Sequence, residues 1–125
     1  MLNKIFLTII LLCGIACASA LDDVNKNLCN IENEWLSVTI TCTPRANEYN
    51  VSKITLFVYK DLSSCREIFV NNDGTYSTRY FAANTGIFTE YDEYGVILNK
   101  WSDKDNTKEA CSFLYKAYKE AAQRM

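Results

Sequence analysis

The chain contains no histidine, and this absence removes several classes of active site. Ser-His-Asp and Cys-His machinery needs an imidazole as the general base, and most catalytic zinc sites use histidine ligands. No Cys-x-x-Cys spacing occurs either, which excludes the usual thiol redox motif. We therefore expect a protein that is not an enzyme and that holds no metal and no cofactor.

Positive charge is also in short supply. The chain has 13 Lys and Arg residues against 15 Asp and Glu residues, and no basic run or stripe. Binding to a phosphate backbone or to an anionic lipid surface requires concentrated positive charge. Nucleic acid and anionic membranes are therefore not expected as partners.

The only long apolar run lies at the amino end and predicts an export signal. Residues 1–20 combine a positively charged start, an apolar stretch too short to span a bilayer, and the peptidase sequence Ala18-Ser19-Ala20. Cleavage before Leu21 would leave one secreted, extracellular domain, residues 21–125, with no apolar run to hold it in a membrane. A lipoprotein modified at Cys17 is the alternative.

Proline occurs once, as Pro44, where it ends the first of several short runs of alternating apolar and polar residues. These runs predict about six antiparallel strands. The predicted strands are residues 35–42, 51–60, 66–70, 76–82, 87–94 and 96–101. Asn71-Asn72-Asp73-Gly74 is the strongest hairpin signal, and Gly95 indicates a bulge or bend between the last two strands.

Residues 106–125 show the only clear helical period. One stripe of this segment is apolar and the opposite side is charged. The predicted buried stripe consists of Cys111, Leu114, Tyr115, Tyr118, Ala121, Ala122 and Met125. The expected fold is α+β and mainly β: an antiparallel sheet or reduced barrel with one C-terminal amphipathic helix packed on it.

Four cysteines remain after removal of the signal, and an even number in a small exported chain indicates two disulfides. Cys42 faces the core of its predicted strand, and Cys111 lies on the buried stripe of the helix, so we favour Cys42–Cys111. Cys65 shares a face with Glu67, which places it at the rim, within reach of Cys29. Each bridge should stabilise the fold by about 2–4 kcal/mol, and the other pairings remain open.

Aromatic residues crowd into the second half of the chain. Tyrosine combines an apolar ring with a polar tip, which suits a ligand pocket or a protein interface. The candidate ligand-binding residues are Tyr76, Tyr80, Tyr91, Tyr94 and Trp101. Core packing and cross-strand pairing are the alternative role for these rings. The leading hypothesis is a monomeric, secreted, non-catalytic protein that binds a small hydrophobic or amphipathic ligand in an aromatic-lined pocket.

Two other features point to an extracellular protein partner. Arg45, just after Cys42, could be offered by a disulfide-anchored loop to a serine protease, although an ordinary surface turn is more frequent. Phe113 falls on the polar side of the helix and is a candidate contact. Asn50-Val51-Ser52 is a glycosylation sequon, which applies if the source is eukaryotic. A secreted effector or protease inhibitor is therefore the alternative function.

Carboxylates provide the remaining catalytic possibility. Glu90 and Asp92 would share one strand face about 6–7 Å apart, a separation compatible with glycoside hydrolysis. Acidic residues on a strand edge more often serve to prevent edge-to-edge pairing. A hydrolase is the least favoured hypothesis.

The sequence Thr89-Glu90-Tyr91, followed by Tyr94, resembles the Thr-Asp-Tyr-x-x-Tyr strand motif of lipocalins. In this resemblance, Trp35 would take the place of the tryptophan in the Gly-x-Trp motif of that family. Lipocalins are secreted, disulfide-bonded antiparallel barrels with a helix beside the barrel. The resemblance implies a reduced barrel with a cup for a small hydrophobic or amphipathic ligand.

Overall fold

The computed structural model describes residues 20–45, 50–82, 84–102 and 107–125. Of the predicted export signal, only Ala20 lies within these ranges. Seven strands in the described ranges form one antiparallel sheet whose spatial order follows the chain order. A 3₁₀ turn, Lys26–Leu28, precedes the sheet, and a single long helix, α1 (Thr107–Gln123), follows it. The strands are β1 (Cys29–Asn33), β2 (Ser37–Cys42), β3 (Val51–Tyr59), β4 (Ser64–Asn71), β5 (Tyr76–Ala82), β6 (Ile87–Tyr91) and β7 (Ile97–Ser102).

The predicted fold class is confirmed, and the sheet is open, because in the described residues β1 pairs only with β2 and β7 only with β6. The sequence prediction missed β1, since the first predicted strand began only at residue 35. This strand is polar and largely exposed, with the composition Cys-Asn-Ile-Glu-Asn. It therefore lacks the apolar alternation from which the other strands were predicted, and its pairing with β2 defines it.

Alternation along the strands gives the sheet two different faces. We call the face that carries Ile40, Leu56 and Phe81 the helix face, and the face that carries Phe57, Thr78 and Tyr80 the open face. The helix face is the core of the protein, and Ile40 and Leu56 are completely buried. Helix α1 lies across it and contacts β1 to β5.

The predicted apolar stripe of the helix is confirmed in its centre. The buried helix residues are Ala110, Cys111, Leu114, Tyr118 and Ala121. Tyr115 and Ala122, at the margin of the stripe, are half-buried. Met125 lies beyond the last turn and is 90% exposed, so the prediction that it is buried was wrong.

The favoured disulfide pairing was wrong: the bridges are Cys29–Cys42 and Cys65–Cys111. Cys29 and Cys42 are direct cross-strand neighbours in the β1/β2 register, with Cα atoms 4.1 Å apart. Without β1 this neighbour could not be recognised. Cys65 is not at the rim but 1% exposed on the helix face, where it meets Cys111.

Glu67 is the reason that the position of Cys65 was misassigned. Its carboxylate suggested a solvent-facing side of β4, yet Glu67 is completely buried on the helix face. The hydroxyl of Tyr118, also completely buried, donates a 2.7 Å hydrogen bond to its Oε2 atom. A buried carboxylate needs such hydrogen bonds to offset its desolvation, and this one joins the helix to the sheet.

Two turns on the same end of the sheet use aspartate side chains as caps. In the confirmed β4–β5 hairpin, Gly74 has a φ of +89°, which an L side chain rarely adopts. Asp73 Oδ1 there accepts both the hydroxyl and the N–H of Thr75, at 2.6 and 2.9 Å, and these bonds lower the pKa of Asp73.

The β6–β7 turn shortens the predicted fifth strand. Asp92 Oδ1 accepts the N–H groups of Tyr94 and Val96, both at 2.9 Å, so the chain reverses after Tyr91. Gly95, with a φ of +79°, completes this turn. Among the described residues, no helix is long and apolar enough to cross a membrane.

Candidate functional site

The open face carries a groove between β4 and the β6–β7 turn. Its volume is about 460 Å³, within the range of about 300–1,000 Å³ that is usual for small-molecule sites. The groove opens to solvent along the sheet rather than into the core. Its lining residues are Arg66, Tyr76, Thr78, Tyr80, Tyr91, Asp92, Glu93 and Gly95.

The groove exists because a small side chain stands among large ones. Side chains two apart on a strand share a face, so Tyr76, Thr78 and Tyr80 stand in one row along β5. Thr78 is also the direct cross-strand neighbour of Tyr91 on β6. Threonine is much shorter than tyrosine, so Thr78 forms a floor bearing a hydroxyl, with phenol rings around it.

Charged groups lie on the borders of this aromatic floor. Arg66 is the direct cross-strand neighbour of Tyr80, and its guanidinium carbon lies 5.7 Å from the centroid of the Phe57 ring. At the other end, the Tyr76 hydroxyl donates a 3.3 Å hydrogen bond to the backbone carbonyl of Glu93. This bond joins β5 to the turn that carries the Asp92 and Glu93 carboxylates.

Three of the five predicted ligand-binding residues, Tyr76, Tyr80 and Tyr91, therefore come together in the groove. Tyr94 lies in the β6–β7 turn, is 82% exposed and does not line the groove. Trp101 is the cross-strand neighbour of Phe88 on the helix face, so it lies on the other side of the sheet.

Five of the eight lining residues were not predicted to bind a ligand: Arg66, Thr78, Asp92, Glu93 and Gly95. The spacing of Tyr76, Thr78 and Tyr80 at every second position contained the signal for the floor. Arg66 carries no such signal, because its position depends on the β4/β5 register.

The predicted carboxylate pair is not formed. Glu90 faces the helix side of the sheet, where its Oε2 atom lies 2.7 Å from Arg79 Nε and its Oε1 atom accepts a 2.7 Å hydrogen bond from Asn99. Asp92 follows the end of β6 and caps the turn. Both carboxylates therefore have structural partners, and the prediction that they share a strand face was wrong.

The candidate protein contacts are both exposed. Arg45 lies three residues after the end of β2, and its backbone N–H donates a hydrogen bond to the backbone carbonyl of Asp23 at 3.3 Å. The rest of this loop, residues 46–49, lies outside the described residues. Phe113 is 52% exposed on the solvent side of α1.

The predicted glycosylation site begins β3. Asn50 is exposed and has a φ of +56°. The hydroxyl of Ser52 donates to the carbonyl of Val70 at 3.1 Å. Glycosylation of Asn50 stays a prediction.

The β1–β2 turn exposes two large apolar side chains. Trp35 is 90% exposed and Leu36 is 66% exposed. The predicted strand began at residue 35, but β2 begins at Ser37. Leu36 therefore lies outside the strand and does not share the buried face of Val38 and Ile40. The resemblance to lipocalins, which uses Trp35, stays a prediction.

Within the described ranges, no group of three or more His, Cys, Asp or Glu side chains is arranged to hold a metal ion. The candidate functional site is a groove on the sheet, lined by phenol rings and hydroxyl groups, with charged side chains at its borders. Comparison of the chain with models of protein families, with curated proteins and with solved structures finds no match.

Proposed function

We propose that this chain is a secreted, non-catalytic binding protein that holds a small amphipathic molecule in the groove of the open face. The observation that carries the proposal is the hydroxyl floor of Thr78 among the rings of Tyr76, Tyr80 and Tyr91. Ligand sites typically combine aromatic walls with a few placed polar groups.

The charges at the borders define the polarity of the ligand. An apolar or planar part would lie against the phenol rings, and a hydroxyl or amide would reach Thr78. At one border, Arg66 could bind a negatively charged group of the ligand. At the other border, the Glu93 carboxylate could accept a hydrogen bond from a donor group of the ligand. A purely aliphatic molecule would leave these polar groups without partners and would bind less well.

The absence of histidine and the structural partners of Glu90 support binding rather than catalysis. The export signal predicted for residues 1–20 and the two disulfides support a location outside the cell, where disulfides persist. We expect the protein to act as a monomer.

Filling the floor of the groove tests the proposal. Thr78→Tyr replaces the short side chain with a ring on an exposed strand face, where tyrosine is well tolerated. Native mass spectrometry of the wild-type protein, purified from the medium of cells that secrete it, should show a bound small molecule. The Thr78→Tyr protein should lose it.

Thr39→Tyr is the matched control. Thr39 lies on the same face, on β2, opposite Phe57 and outside the groove. It introduces the same ring into the same sheet and should leave the bound molecule in place. Retention of the molecule by Thr78→Tyr, or its loss from both variants, would contradict the groove as the binding site.

A second candidate function, protease inhibition through Arg45, is favoured by one observation. The Cys29–Cys42 bridge lies just before the exposed Arg45, and the N–H of Thr43 donates to the carbonyl of Leu28 at 2.9 Å. The start of this loop is therefore held rigidly, as a substrate-like inhibitor requires.

Titration of trypsin with the purified protein tests this candidate. Inhibition that Arg45→Ala abolishes and Lys60→Ala preserves would support it. An unchanged titration with Arg45→Ala would rule it out.

A further inference from the structure

The groove on the open face carries opposite charges at its two ends. Among the described residues, the charged ones that line it are Arg66, Asp92 and Glu93. Arg66 lies beside Tyr80, its direct cross-strand neighbour. Glu93 lies beside Tyr76, whose hydroxyl donates a 3.3 Å hydrogen bond to its backbone carbonyl. The groove is therefore positive near Tyr80 and negative near Tyr76.

The side-chain charges of Arg66 and Glu93 are not paired within the fold. In the described part of the chain, the one salt bridge joins Arg79 to Glu90 on the helix face, so neither Arg66 nor Glu93 forms a salt bridge there. Asp92 differs, because its Oδ1 atom already accepts two N–H groups of the β6–β7 turn. Two charges of opposite sign therefore remain available to a ligand.

The separation of these two ends sets the length of the ligand. Tyr76 and Tyr80 are four residues apart on β5, which corresponds to about 13 Å along the strand. A single amino acid cannot span this distance, because its ammonium and carboxylate groups are attached to the same carbon. In an extended peptide each residue adds about 3.3 Å, so the termini of three or four residues reach from one end to the other.

The floor between the charged ends suits the middle of such a peptide. A hydroxyl group can donate and accept hydrogen bonds, so Thr78 could pair with either an N–H or a carbonyl of a peptide backbone. The rings of Tyr80 and Tyr91 would contact an apolar or aromatic side chain. Peptides thus combine the polar centre, the apolar group and the separated charges that the groove can bind.

We propose that the ligand of the groove is a short peptide of three or four residues with free termini and an apolar side chain. It lies extended along β5, with its carboxylate at Arg66 and its ammonium group at Glu93. A guanidinium group suits the first role because it can pair with a carboxylate through two parallel hydrogen bonds. This assignment rests on the proposed function and specifies the class of ligand.

Titration of the dialysed protein with the tripeptide Ala-Phe-Ala, followed by NMR, tests the assignment. Acetylation of the amino end and amidation of the carboxyl end each remove one charge, and each should weaken binding about three- to tenfold. Free phenylalanine should bind more weakly than the tripeptide, because it cannot reach both ends. Equal binding of the free and doubly blocked tripeptides, or binding of phenylalanine as tight as that of the tripeptide, would overturn the assignment.

Two variants connect each terminus of the peptide with one residue. Arg66→Gln should weaken binding of the free tripeptide about three- to tenfold, and amidation should then have no further effect. Glu93→Gln should do the same with respect to acetylation. Lys53→Gln, on the open face but outside the groove, and Glu32→Gln, on β1, are the matched controls and should bind like the wild type. An amidation effect that persists in Arg66→Gln, or an acetylation effect that persists in Glu93→Gln, would overturn the assignment.

Native mass spectrometry separates this assignment from the proposed function. A bound molecule that is lost with Thr78→Tyr and is not a peptide overturns the assignment and leaves the groove as the binding site. If no form of the tripeptide binds and Thr78→Tyr loses no molecule, both are overturned.

Discussion

Replacing Tyr118 with phenylalanine removes one oxygen atom from the interface between α1 and the sheet. That hydroxyl donates a 2.7 Å hydrogen bond to Glu67, and both side chains are completely buried. Removing one partner of a buried hydrogen bond costs about 1–3 kcal/mol of stability. We therefore expect Tyr118→Phe to lower the free energy of unfolding by about 2 kcal/mol and the melting temperature by roughly 8–16 °C.

Urea unfolding followed by circular dichroism measures this loss. The comparison requires that the slope of the free energy of unfolding against urea concentration is the same as in the wild type. Tyr94→Phe is the matched control, because it removes the same atom from a side chain that is 82% exposed. It should change the free energy of unfolding by less than about 0.5 kcal/mol. If Tyr118→Phe proves as stable as Tyr94→Phe, the hydrogen bond to Glu67 does not stabilise the fold and the account of the buried carboxylate is wrong.

Three further predictions concern the bridges, the exposed tryptophan and the hairpin aspartate. The Cys65–Cys111 bridge closes a loop of 46 residues and the Cys29–Cys42 bridge one of 13 residues. Because a bridge restricts the unfolded chain, replacing the first pair by alanines should lower the free energy of unfolding by about 4 kcal/mol, and replacing the second pair by about 3 kcal/mol. Thermal unfolding measures both losses. Trp35→Ala should change the free energy of unfolding by less than about 0.5 kcal/mol, since the side chain is 90% exposed; a loss of about 3–5 kcal/mol would indicate a core residue instead. NMR titration should find the pKa of Asp73 below its usual value of 3.8, because the hydroxyl and N–H of Thr75 stabilise its carboxylate. The resulting stabilisation is present above the pKa of the unfolded chain and is lost as the pH falls through the folded pKa, so the stability difference between wild type and Asp73→Asn should shrink on acidification; a constant difference would contradict it.

The helix and the six strands β2 to β7 could be predicted because local patterns define them. The alternation along β3 and the period of α1 each follow from which residues are apolar. The hairpin at Gly74 could be predicted for a similar reason, since its turn residues are adjacent in the chain. These features can be predicted without knowing which residues far apart in the sequence contact each other.

The disulfide pairing could not be predicted because it depends on such partners. Glu67 would face solvent on most strands, but here it is buried and accepts a hydrogen bond from Tyr118, a residue far away in the sequence. Because Glu67 was taken as exposed, Cys65, on the same face of β4, was predicted to lie away from the helix. Because β1 is polar, it was not predicted as a strand, and the cross-strand neighbour of Cys42 was not recognised.

The candidate site was predicted in part. Three tyrosines of the groove were identified because aromatic residues are dense in that part of the chain. The shape of the groove depends on Thr78, a small residue that composition does not single out. Arg66 and Tyr80 are adjacent only through the strand register, which the sequence does not define.

The order of the sheet has a consequence for how the chain reaches its native state. Each strand pairs with the one made just before it, so the sheet can grow at one edge by closing a series of short loops. Helix α1 is different, because its end must meet the amino-terminal segment, where the N–H of Lys26 donates to the carbonyl of Arg124 at 2.9 Å. Until those last residues are synthesised, the surface around Ile40 and Leu56 has no cover. The nascent protein therefore exposes its most apolar surface until α1 has been synthesised and has packed on the sheet, and in that interval a chaperone would protect it most.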